Sequence, residues 1–284
     1  VHQKRVAAIH DISCLGKCSL TVALPILSCA GIETCVVPTA VLSTHTGGFS
    51  GYTYRDLTDD ILPVVSHWQT LGLHFDAVYT GFLGSFRQLD IVAEVFDRLR
   101  GPETLVVVDP VMADHGKLYT TIGETFPEGM KKLCSKADII VPNMTEACFL
   151  TGKPYRPGPY DKAFVEDLLS ELSSLGPRYV VLTGVSFDGR HLGAASFDSS
   201  GDKIDYSFAQ CIEGVFYGTG DIFASTLTAG LLTGHDLNRS ARIAVDFTVK
   251  SISRTREAGT DVRFGVNFEA GLAELSALLN GASL

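Results

Sequence analysis

The segment Gly218-Thr219-Gly220-Asp221, running into Ile222-Phe223-Ala224-Ser225, carries residue types that can hold an anion and move a proton. Two glycines let successive backbone amides turn toward one point, and the helix that follows brings the positive end of its dipole there. Such a cradle suits the charge that develops on a transferred phosphoryl group, with Asp221 placed to take a proton from an attacking hydroxyl. The same four residues would also make a tight turn with Asp221 as a helix N-cap.

Four further segments could supply the rest of a site. In Asn143-Met144-Thr145-Glu146, Asn and Glu three apart share one helical face. That carboxylate could hold a magnesium–water cluster, or the pair could form a capping box, and taken alone the cap is favoured. Asp109-Pro110-Val111-Met112-Ala113-Asp114 is an acidic loop after a buried apolar strand, and Ser43-Thr44-His45-Thr46-Gly47-Gly48 is polar and flexible enough to close over a small molecule. Thr183-Gly184 suits a nucleotide phosphate or ribose. Other mechanisms find no support: Gly16-Lys17 lacks the spacing of a P-loop, no GxGxxG follows a strand, and HExxH, GxSxG and HRD are all missing.

The elements that must position these residues alternate between strand and helix. Strands are expected at Arg5–Ile9, Thr34–Val37, Ala77–Thr80, Leu105–Val108, Ile139–Val141 and Tyr179–Leu182, with a hairpin of Leu192–Phe197 and Ile204–Phe208. Helices are expected at Leu20–Ala30, Thr58–Leu71, Gln88–Leu99, from Asn143, and at Lys162–Leu175, Ile222–Leu232, Arg239–Arg254 and Phe268–Leu279. Short continuous apolar strands between helices predict a mostly parallel sheet covered on both faces, with ligands at the strands' carboxyl ends. There the sequence places His10–Asp11, Gly81–Phe82, Asp109–Pro110, Pro142–Asn143 and Thr183–Gly184. With 284 residues, 45% hydrophobic and no linker, residues 1–284 are expected to form one domain.

A net charge of −9 argues against nucleic acid or an anionic membrane as partner. The longest apolar stretch, Leu20–Ile32, is too short to span a bilayer, and His10-Asp11 ends the run Val6–Ile9 too early for a signal peptide. Seven cysteines without a CxxC pair suggest reduced thiols and a cytoplasmic location.

In this order along the chain, the segments resemble the ribokinase-like superfamily of small-molecule kinases, and within it the vitamin B6 (pyridoxal, pyridoxine, pyridoxamine) kinases. Gly218-Thr219-Gly220-Asp221 is shared across the superfamily, whereas Ser43-x-His45-Thr46, Gly81-x-Leu83-Gly84-Ser85 and Asp109-Pro110-Val111-Met112 look like elements of the B6 branch. The resemblance implies a three-layer sandwich without a separate large lid domain, and phosphorylation of the 5′-hydroxymethyl group of a vitamer by ATP with Mg²⁺. A monovalent cation such as K⁺ and a homodimer are implied as well. It makes Asp221 the general base, with the amides of Gly218, Thr219 and Gly220 as anion hole. It puts Asp109 and Glu146 at the metal, Asp109, Asp114, Asn143, Glu146, Thr183 and Gly184 at ATP, and Asp11, Ser13, Ser43, His45, Thr46 and Phe82 at the vitamer.

Three positions depart from that branch: Asp11 stands where Ser is usual, Phe82 replaces Tyr, and Val141 replaces a frequent Thr. They leave the chemistry intact and the preferred vitamer open. Asp11 could meet a positive centre on the vitamer, or face solvent or cap the loop while Ser13 or His10 makes the ring contact. Two other readings remain: a hydroxymethylpyrimidine kinase of the same superfamily, and a non-catalytic protein that binds vitamers or pyridoxal phosphate. Intact Asp221 and Glu146 weigh against the second.

Overall fold

The computed structural model describes residues 3–281. Its strands are β1 (Arg5–Ser13), β2 (Glu33–Leu42), β3 (Tyr54–Asp56), β4 (Ala77–Thr80), β5 (Leu105–Val108), β6 (Ala113–Asp114), β7 (Lys117–Leu118), β8 (Ile139–Ile140), β9 (Tyr179–Val185), β10 (His191–Asp198) and β11 (Lys203–Gln210). Its helices are α1 (Leu20–Cys29), α2 (Thr58–Thr70), α3 (Phe86–Leu99), α4 (Phe126–Cys134), α5 (Met144–Thr151), α6 (Lys162–Ser173), α7 (Thr219–Leu232), α8 (Leu237–Ala258) and α9 (Leu272–Asn280).

Nine strands form one sheet in the order β11-β10-β9-β8-β5-β4-β1-β2-β3, and β6 with β7 makes a separate two-stranded hairpin. The six strands from β9 to β2 run parallel, while β3, β10 and β11 pair antiparallel at the edges. Side chains alternate across the pleat, so Ala7, Ile9 and Val78 pack under α2 to α6. Val6, Ala77 and Tyr79 pack under α1, α7, α8 and α9. Both faces are buried, which is why the central strands read as unbroken apolar runs. The architecture is the expected three-layer α/β sandwich.

Several boundaries differ from the sequence reading, and the differences lie at the carboxyl ends. β1 continues through His10 and Asp11 to Ser13, pairing with β2 past an irregularity between His10 and Ile12. β9 likewise continues through Thr183 and Gly184, where a bulge opposite Gly193 and Ala194 accommodates Gly184 at φ +76°. These polar residues are strand, not turn. β3, the β6–β7 hairpin and α4 had no counterpart in the sequence reading.

Candidate active site

A cavity of about 1000 Å³ runs along the carboxyl ends of the parallel strands, large enough for two small molecules side by side. Asp11, Leu42, His45, Thr46, Phe49 and Phe82 line it on the β1–β2–β4 side. Thr183, Gly184, Gly193, Phe223, Val245 and Ile252 line it on the β9–β10 side, and Asp109, Asn143, Glu146 and Gly218–Asp221 lie between. Five carboxylates line this space, from Asp11, Asp109, Asp114, Glu146 and Asp221, and Lys117 is the only lysine or arginine among the described residues that does so.

The start of α7 is the anion cradle. Gly218 is its N-cap with φ +77°, and a Cβ there would collide with the Lys17 carbonyl, so the turn admits only glycine. The first closing bond runs from the Ile222 amide to the Gly218 carbonyl at 3.1 Å. The amides of Thr219, Gly220 and Asp221 therefore have no acceptor within the helix and remain available to an anion. Asp221 sits at the third helical position, not at the cap. Burial pushes its carboxyl up to about 7, the Ser19 backbone amide opposes this by donating to it, and the Asp11 charge adds to the rise.

The start of α5 joins a cap to the cavity. The Asn143 side chain accepts from the amides of Thr145 (2.8 Å) and Glu146 (2.9 Å), and Glu146 accepts from the Asn143 amide (2.9 Å), completing a capping box. The other Glu146 oxygen accepts from the Met112 amide at 3.1 Å, and the Asn143 amide group donates to the Ala113 carbonyl at 2.9 Å. The capping box thus also fixes the acidic loop after β5. Burial lifts Glu146 to about 8 against these hydrogen bonds. Asp109 is buried with no hydrogen bond to its carboxylate among the described residues, and desolvation, then the charges of Glu146 and Asp221, drive its pKa well up.

No group of three His, Cys, Asp or Glu side chains among the described residues forms a closed metal site. The arrangement still fits a divalent cation shared with a bound polyphosphate. Asp109 offers a carboxylate without a hydrogen-bond partner among the described residues, the Glu146 charge acts on it, and a polyphosphate could not enter so acidic a cavity without a counter-charge.

The sequence profile of the phosphomethylpyrimidine kinase family matches residues 26–265. The chain belongs to that family. A Bacteroides thetaiotaomicron structure described as a phosphomethylpyrimidine kinase and crystallised with pyridoxal is 36% identical, with a TM-score of 0.92 and 96% of each chain covered. Pyridoxal kinase from Lactobacillus plantarum is 30% identical, with a TM-score of 0.88 over the whole of both chains. The pyridoxine/pyridoxal/pyridoxamine kinase of Bordetella avium is 29% identical over 266 residues, 89% of this chain and 86% of its own. The kinase membership expected from the motifs holds.

In this member of the phosphomethylpyrimidine kinase family, most of the residues singled out in the sequence meet in one cavity. Asp11, His45, Thr46, Phe82, Asp109, Asp114, Asn143, Glu146, Thr183, Gly184 and Gly218–Asp221 all line it. Two do not. Ser13 is buried and its hydroxyl reaches Asp11 at 3.4 Å, and the Ser43 hydroxyl accepts from the Thr53 amide at 2.9 Å, tying down the loop before β3. Both hydroxyls bond within the scaffold, and neither residue is among those that line the cavity. His10 packs edge-on to Tyr79 beneath the cavity, so it is Asp11, 4% exposed, that faces the ligand space. Solvent exposure of Asp11 is thereby excluded.

The sequence reading missed Phe49, Tyr119 and Tyr217, which line the cavity from loops, and the wall formed by Val245, Val249 and Ile252. The spacing of the last three marks one face of a helix, but it could not distinguish a cavity wall from core.

The acidic cluster has a consequence for stability. Glu146 has a folded pKa of about 8 against an ordinary 4.5, and Asp221 about 7 against 3.8. Groups raised in the folded state stabilise it fully below their unfolded pKa and lose that contribution as pH rises through the folded one. The melting temperature of the metal-free protein should therefore fall between about pH 4 and pH 8, and added Mg²⁺ should restore more of it at the higher pH. Scanning fluorimetry checks this; an equal Mg²⁺ effect at both pH values would remove the carboxylates from the metal site.

Proposed function

We propose that the chain transfers the γ-phosphoryl group of ATP to the 5′-hydroxymethyl group of a vitamin B6 vitamer. The observation that carries this is the start of α7: three amides without acceptors, and a carboxyl held near neutrality one residue beyond the glycines. The vitamer occupies the β1–β2–β4 side, where its ring lies among Phe49, Phe82 and His45, and the nucleotide occupies the β9–β10 side. Asp221 accepts the proton of the hydroxymethyl group, whose oxygen attacks the γ-phosphorus in line. The amides of Thr219, Gly220 and Asp221 hold the equatorial oxygens as charge builds on them. Asp109 and Glu146 would hold Mg²⁺, which neutralises phosphate charge when bound. The protein's share is mainly positioning.

Pyridoxal in the Bacteroides relative supports the vitamer, whereas the name of the family profile favours a hydroxymethylpyrimidine as second reading. An ADP-coupled assay with pyridoxamine, pyridoxal, pyridoxine and hydroxymethylpyrimidine separates the two. Vitamer-dependent ADP release is expected; turnover of the pyrimidine alone would replace the first reading with the second. The proposal also carries a homodimer in the cytoplasm and a monovalent cation such as K⁺ beside the anion cradle. The free thiols at all seven cysteines support the compartment.

Asp11 sets the vitamer preference on this reading. Its Oδ1 has no partner among the described residues, and Ser13 and Ser19 reach the carboxylate from the protein side. Burial raises its pKa, so the open oxygen calls for a donor, best a cationic one: a protonated ring nitrogen or the ammonium of pyridoxamine. Asp11→Ser should shift kcat/KM away from pyridoxamine relative to pyridoxal by about 10- to 100-fold, the scale of a hydrogen bond to a charged group. Kinetics with all three vitamers at fixed pH and salt check it, and unchanged ratios would take Asp11 out of recognition.

A further inference from the structure

His45 lines the cavity, yet neither ring nitrogen is free for a ligand. Nε2 lies 2.6 Å from the Arg263 carbonyl oxygen, which can only accept, so the proton is on Nε2. Nδ1 accepts from the Gly47 amide at 3.1 Å and must be unprotonated. The imidazole is thus neutral and held in one tautomer by two backbone groups 216 residues apart in sequence (263 − 47).

The carbonyl belongs to a strap, residues 261–267, that binds the vitamer side of the cavity from outside. The Lys17 amide donates to the Phe264 carbonyl at 3.0 Å, and Lys17 Nζ donates to Asn267 at 2.8 Å. Phe264 packs on Phe49 with ring centroids 5.5 Å apart. His45 in turn packs against Phe49 at 5.0 Å and against Tyr217 at 5.3 Å, and Tyr217 immediately precedes the anion cradle. Glycine at 47 is what allows this approach, because a Cβ there would stand 2.5 Å from the Tyr217 ring.

We infer that His45 is a positioning residue: as a neutral imidazole clamped between Gly47 and the Arg263 carbonyl, it closes the 43–51 loop over the vitamer and fixes Tyr217 beside the anion cradle. The inference rests on the kinase reading above. The titratable groups on the segments packed around the ring are Tyr217, Lys17, which follows Gly16 against the ring and is held by Asn267 and Glu269, and Arg263 on the strap, paired with Asp261. No carboxylate among the described residues bonds to the imidazole, and burial lowers its pKa. Protonation would convert Nδ1 from acceptor to donor and break the bond from the Gly47 amide.

The test uses two variants of the full chain. His45→Phe keeps an aromatic ring and removes both hydrogen bonds. Gly265→Ala strains the strap at φ +82° and sets a Cβ 2.7 Å from Lys17, without touching the cavity lining. Both should raise KM for the vitamer at least about tenfold while KM for ATP stays within about twofold, the cost of losing a fixed hydrogen bond. In the wild type, vitamer KM should rise as pH falls below the ordinary imidazole range, and in His45→Phe this limb should vanish while the acid limb of kcat persists. Unmoved vitamer KM, a parallel rise in both KM values, or loss of far-UV circular dichroism in both variants would overturn the inference. An inactive wild type would instead overturn the kinase reading on which it rests.

Discussion

Asp221→Asn lowers kcat by about 10²- to 10⁴-fold, the usual worth of a positioned general base, while KM for ATP stays within about twofold. Asn matches the shape of Asp and keeps an acceptor for the Ser19 amide, so the start of α7 is retained. It cannot take the hydroxymethyl proton. A capping role would predict a near-neutral substitution, but Gly218 occupies the cap and Asp221 lies three residues on. Stability provides a second readout. Asp221 is raised to about 7 by burial, so ionising it above that pH costs folding energy, and Asn carries no such cost. At about pH 8 the variant should melt no lower than the wild type. In the wild type, kcat/KM should fall as pH drops through the Asp221 pKa, and this limb should be lost in the residual activity of the variant. Full turnover in the Asn variant would end the general-base reading.

The legible parts of this chain were those where one physical demand acts alone. β4 and β5 lie in the middle of the sheet with apolar neighbours on both faces, and Ala77–Thr80 and Leu105–Val108 read directly as buried strands. At His10–Asp11 and Thr183–Gly184 a second demand enters, because the strand must end in polar groups that face the cavity. Asp, Thr and Gly there read as turn residues, although the backbone continues its ladder. α4 had no counterpart in the sequence reading, and its short span carries both Pro127 and Gly129. Phe126, Met130, Leu133 and Cys134 nevertheless recur at helical spacing and are all buried, and Pro near the first position suits a helix start. In the site, the anion cradle and the acidic loop were visible because their chemistry is local in sequence. The clamp on His45 was not, since a histidine's role depends on what meets each nitrogen, and here one partner is a carbonyl at residue 263. Asn143-to-Glu146 shows that cap and site need not compete: the same carboxyl closes the capping box and holds the Met112 amide at the cavity wall.

Gly220→Ala should reduce kcat by about 10²- to 10³-fold, the scale for disabling donors that stabilise charge in a transition state, without loss of stability. The two glycines of the cradle are there for different reasons. At Gly218 a Cβ would meet the Lys17 carbonyl and φ is +77°, so substitution attacks the fold itself. At Gly220 a Cβ would meet nothing within 4 Å, and the backbone is ordinary helix. Gly in a helix costs about 0.8–1.0 kcal/mol relative to Ala, so on stability alone Ala is the better residue. What the missing side chain leaves open is ligand space, because Gly220 lines the cavity between two amides that have no helical acceptor. A methyl group there would hold the phosphoryl group away from the amides of Thr219 and Asp221, weakening bonds that matter most as charge develops. The variant should melt at or above the wild-type temperature while its kcat falls and KM for the vitamer changes little. Wild-type kcat with raised stability would mean that Gly220 serves neither the cradle nor the fold.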